Sequence, residues 1–147
     1  MATSEYVLEF GERRDPAANA PGATTRTSAA AATTNSMQVR YLTLDFDQTP
    51  DEDTSWQLPV AANYLSGGTV NIWWYATPTT NNVVWKASVY VATASSSDID
   101  TSSAYNAIDS SGAVAVPGTS GQHKLTSIAL TSPGLATIRW ASITIGR

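Results

Sequence analysis

The 147-residue chain carries eight Lys and Arg against twelve Asp and Glu, a formal net charge of −4, and it has no cysteine. This mildly acidic balance argues against a nucleic-acid binder, which normally carries a basic patch, and the missing thiols exclude disulfides, cysteine nucleophiles and Cys-based zinc sites. Five Trp and six Tyr supply enough apolar surface for one domain with an appendage, and no run of ~20 apolar residues offers a membrane span.

At the N-terminus, "EYVLEF" crowds Tyr6, Val7, Leu8 and Phe10 into a few residues. Acids appear early and no apolar core of a secretory signal follows, so synthesis in the cytoplasm is expected. Residues 11–36 hold no large apolar side chain and are rich in Ala, Thr, Ser, Gly and Pro. Alone, such a stretch buries too little to offset its ordering entropy, and it reads as a flexible tether. The division expected is therefore an extended N-terminal arm over 1–36 and a β domain over 37–147. An apolar hexamer on a polar tether is wasted on a free monomer. It suits a strand or plug that docks on a neighbouring subunit or a partner's sheet edge.

From Met37 onward the pattern is all-β. "QVRYLTLDF" (38–46) reads as a strand with Leu42, Leu44 and Phe46 on one face. "TVNIWWYAT" (69–77) and "VVWKASVYVAT" (83–93) are the clearest strands, and period-2 alternation gathers Val70, Ile72 and Trp74 in one and Val83, Trp85, Ala87 and Val89 in the other. "SSAYNAID" (102–109) is either a helical turn or a loop. "AVAV" (113–116), "KLTSIAL" (124–130) and "ATIRWASITI" (136–145) add further strands, separated by "QTPDED", "LSGG", "TPTTNN", "SSG", "PGTSG" and "SPG" turns. In the last strand Ile138 and Trp140 share one face while Ile143 and Ile145 share the other, which requires a bulge or burial on both sides. Many short strands predict a β-sandwich or jelly roll.

The doublet in "NIWWYAT" cannot enter a one-sided core with both rings. Joining 69–77 to 83–93 as a hairpin places Trp74 opposite Trp85 inside and Trp73 opposite Lys86 outside. Trp73, Tyr75 and Tyr90 then share an outer face with Lys86. Three uses of that face are weighed: a cation–π contact alone, an interface between proteins, and a platform stacking on a sugar ring.

Catalytic chemistry finds little support. His123 is the only histidine and lies in a turn, so neither transition-metal catalysis nor a Ser-His-Asp arrangement has a framework. The acidic cluster of Asp45, Asp47, Asp51, Glu52 and Asp53 has oxygens that suit Ca²⁺, but the EF-hand order is not met, and a charged strand end that blunts an exposed edge is the simpler reading. No cofactor is expected, and a glycosidase using Asp45 or Asp51 is a distant alternative.

The run "LTLDFDQTPDEDTSWQLPVAANYLSGGTVNIWWYATPTTNNVVWKASVYV", with "AVPGTSGQHKLTSIALT" beyond it, resembles small jelly-roll proteins encoded among the head genes of tailed phages. These are capsid decoration, or cement, proteins, and the likeness covers about residues 37–132. The resemblance implies a virion protein on the capsid exterior, partnered by the major capsid protein and by copies of itself, often as trimers. It implies arms lying across neighbouring capsid subunits and no catalytic set. The alternative function is a tail-fibre or receptor-binding module that binds host glycans through its aromatic platform.

Overall fold

The computed structural model describes residues 13–15, 18, 20–27, 40–47, 49, 51–62, 64–92, 107–131, 135 and 139–147. All regular structure among them is β: β1 (Arg13–Arg14), β2 (Gly22–Thr27), β3 (Arg40–Asp45), β4 (Asp53–Pro59), β5 (Thr69–Trp74), β6 (Asn82–Ala92), β7 (Asp109–Ala115), β8 (Lys124–Ala129) and β9 (Trp140–Gly146). Every ladder is antiparallel. A five-stranded sheet has the order β1-β4-β9-β6-β7, and β2-β3 and β5-β8 form two-stranded sheets.

The core lies between sheets. Trp56, Val83, Trp85, Ala87 and Ile145 from the five-stranded sheet meet Val70, Trp74 and Ile128 from β5 and β8, with Leu44 and Phe46 from the β3 region packed against them. The rings of Trp74 and Trp85 meet edge-on, 5.8 Å between centroids at 61°, and Phe46 stands at 89° to Trp85 at 5.2 Å. Such tilted contacts bring a positive ring edge to a negative ring face.

The expected hairpin between residues 69–77 and 83–93 does not form. β5 pairs with β8, while β6 pairs with β7 and β9. Trp74 and Trp85 do both point inward, but they face each other across the core rather than along one ladder. Alternation dictates which side chains are inside; it does not distinguish a neighbour in the same sheet from one in the facing sheet. The intervening turn carries Asn81 at φ 83°, a left-handed conformation that Asn tolerates better than most residues. The Asn81 carbonyl accepts from the Val116 amide at 3.1 Å.

Three strands, β1, β2 and β4, carry no clear signal in the sequence. β4, "DTSWQLP", alternates Thr54, Trp56 and Leu58 inward, a period-2 signal masked by the acidic turn before it and the proline that ends it. β2 falls within the stretch read as a tether, as does β1. Arg13 pairs with Trp56, and Gly22–Thr27 pairs along the whole of β3. Backbone ladders need no large side chains, and Pro21 beside β2 is among the most completely buried residues. Asp15 adds to this seam by accepting from the Thr54 hydroxyl at 2.7 Å and pairing with Arg13 at 2.8 Å.

The slip in the last strand resolves as burial on both sides. β9 is central, with an unbroken register to β4 and to β6 from Trp140 to Gly146. Ile143 and Ile145 pack in the core, while Trp140 meets Tyr90 on the other face at 6.3 Å. The one register shift in the sheet falls between Val84 and Lys86, where β6 meets β7 and the Ser111 hydroxyl accepts from the Trp85 amide at 3.0 Å.

Candidate functional site

The candidate site is the outer face of the β5–β8 sheet. Inward-pointing Val70, Trp74, Thr126 and Ile128 leave the alternate positions facing out, so the register places Asn71 opposite Ser127 and Trp73 opposite Leu125. Trp73 is 72 % exposed and Leu125 is 45 % exposed. One step further along the ribbon the rings of Tyr75 and His123 meet at 88° with centroids 5.6 Å apart. At the other end the Ser127 hydroxyl donates to the Asn71 side-chain oxygen at 2.7 Å. An indole and a leucine thus form an apolar centre between a polar pair and an aromatic pair, the arrangement of a small contact patch with a polar rim.

The patch is held from beneath. Trp74 donates its indole N–H to the Thr126 hydroxyl at 2.8 Å, a buried cross-strand bond that locks β5 to β8. The two ends of β8 are tied to β7 across the sheet boundary. Lys124 donates to the Ala115 carbonyl at 2.7 Å, and the Asp109 carboxylate accepts from the Thr131 amide at 2.7 Å.

Of the four side chains expected on one face, only Trp73 and Tyr75 lie on this ribbon. Lys86 and Tyr90 belong to β6 and leave from the outer face of the five-stranded sheet. Separation of the two strands into different sheets dissolves the expected Trp73–Lys86 contact. The Lys86 ammonium instead meets the Asp51 carboxylate at 2.7 Å, in the open, and Tyr90 stands edge-on to Trp140. Leu125 and His123 complete the patch in their place. The signal for Leu125 is the alternation in "KLTSIAL" (124–130), with His123 just ahead of it, legible only once Trp73 is known to sit opposite Leu125. The proposed docking residues Tyr6, Val7, Leu8 and Phe10 lie outside the described residues.

The acidic cluster is dispersed among separate partners. Glu52 is buried and its carboxylate accepts the Asp47 amide, Asp45 accepts from the Thr43 hydroxyl at 3.0 Å, and Asp51 holds Lys86. Among the described residues no three of His, Asp or Glu converge where they could hold a metal ion.

Comparison of the chain with family models, with curated proteins and with solved structures found no match.

Proposed function

We infer that this chain is a non-enzymatic virion structural protein, a β-sandwich of jelly-roll type that binds the outside of an assembled phage capsid and stabilises it. The observation that supports assembly is the Trp73–Leu125 patch. Exposed apolar area costs about 25 cal/mol per Å², so an indole and a leucine side by side in water favour a covering partner. Aromatic residues are enriched where protein interfaces are centred. The patch is the contact between copies in this reading, with the trimer as the favoured assembly.

The capsid as partner is supported by the resemblance of residues 37–132 to decoration proteins and by the tethered apolar hexamer. Residues 5–10 dock as an added strand or plug on the major capsid protein. The acidic balance suits the outer side of a DNA-filled shell, where no DNA contact is needed.

Because β1 and β2 belong to the ladders, the test removes only residues 1–12. The truncated protein is expected to keep its far-UV circular dichroism and to stop co-sedimenting with undecorated shells of the virus that encodes it. Full occupancy of the shells by the truncated protein rules out the docking segment.

A further inference from the structure

On the face opposite the Trp73 patch, the five-stranded sheet carries a groove of about 500 Å³, within the ~300–1,000 Å³ typical of ligand sites. Its floor is crossed by a row of hydroxyl-bearing residues. Ser55 of β4 is register partner to Thr144 of β9, which is in turn partner to Ser88 of β6. Neighbouring strands lie ~4.8 Å apart, so the three residues are spaced across the sheet at about that interval. In the adjoining row Gly146 lies between Asp53 and Lys86, and its missing side chain opens the floor between two charged walls.

We propose that this groove is a binding site for a neutral saccharide. Three cationic and four acidic side chains line it, a near balance that favours neither a free anion nor a free cation. Several are already engaged, Lys86 with Asp51 at 2.7 Å among them. The hydroxyl row both donates and accepts, as sugar hydroxyls do. Ser55 spends its proton on the Arg14 carbonyl at 3.1 Å and keeps its lone pairs as acceptors. Thr144 Oγ1 is buried with no hydrogen-bond partner among the described residues, so turning it about χ1 into the groove breaks no bond. Apolar surface for the C–H face of a sugar ring comes from Ile108, an exposed side chain on the groove wall. The site is independent of capsid binding and of the Trp73 patch.

The test titrates the ¹⁵N-labelled full chain with maltotriose, lactose and triacetylchitotriose, and separately with inorganic phosphate. At least one neutral sugar is expected to shift the Ser88, Thr144 and Gly146 amides saturably. Thr144→Val should weaken that binding roughly three- to tenfold through loss of one hydrogen bond. The same change should raise Tm by ~2–4 °C, because it removes a buried unpaired hydroxyl from the free protein. The proposal is overturned if no neutral sugar gives saturable shifts, or if phosphate alone does. It is equally overturned if the shifts centre on Trp73 and Leu125, or if Thr144→Val leaves the affinity unchanged.

Discussion

Trp73, Trp74 and Trp85 show how differently one residue type is used within thirteen positions. Trp74 is buried and its indole N–H reaches Thr126, whereas Trp85 is equally buried and its N–H finds no partner among the described residues. Replacing each by Phe isolates that difference. Trp74→Phe strands the buried Thr126 hydroxyl and should cost ~1 kcal/mol more than Trp85→Phe in urea unfolding. Equal losses would show that the Trp74–Thr126 bond contributes nothing net. Trp73 has no such role in the core. Trp73→Ser should leave the unfolding midpoint within about 0.5 kcal/mol of wild type, as surface changes usually do, while lowering the mass measured by sedimentation equilibrium. An unchanged mass would remove this residue from the interface between copies. The Lys86–Asp51 pair, with both side chains well exposed, is worth no more than ~1 kcal/mol.

At the scale of elements, β9 is the strand on which the five-stranded sheet depends. It is paired on both edges, and Gly146 near its end sits so close to β4 that an added Cβ would meet the Glu52 carbonyl at 3.2 Å and the Asp53 Cβ at 3.3 Å. Backbone cannot withdraw as a flexible side chain can. Gly146→Ala should therefore destabilise the fold by ~1–3 kcal/mol, read as a lower denaturation midpoint; an unchanged midpoint would mean the β4–β9 edge yields freely. Much of this level was legible beforehand. β5, β6 and β8 follow from alternation, and Trp74 and Trp85 were assigned to the core on that ground. β2 was not legible because its ladder to β3 uses small residues that carry no hydrophobic signal. β4 was not because its alternation is short and flanked by acids and proline.

For the whole molecule, the sheet order joins strands far apart in the chain. Asp53 pairs with Gly146, and Lys86 also meets Gly146 from the other side. Loops of such length must close before these contacts form, so refolding should take milliseconds to seconds rather than microseconds. Stopped-flow tryptophan fluorescence measures this directly, since Trp56, Trp74 and Trp85 are all buried. A microsecond phase carrying the full amplitude would contradict the long-range topology. The same topology separates the two proposed surfaces: the apolar patch leaves from β5–β8, and the groove lies on the sheet that contains β4, β9 and β6.

The all-β class, the strands of clear alternation and the inward or outward direction of their side chains follow from residue order alone, because they depend on the period-2 geometry of an extended chain. Which strands pair is fixed only in the folded chain. Pairing depends on long-range register and on packing between sheets, which local alternation does not encode. That pairing moved Lys86 and Tyr90 away from Trp73, brought Leu125 and His123 beside it, and aligned Ser55, Thr144 and Ser88 into one row from three distant strands.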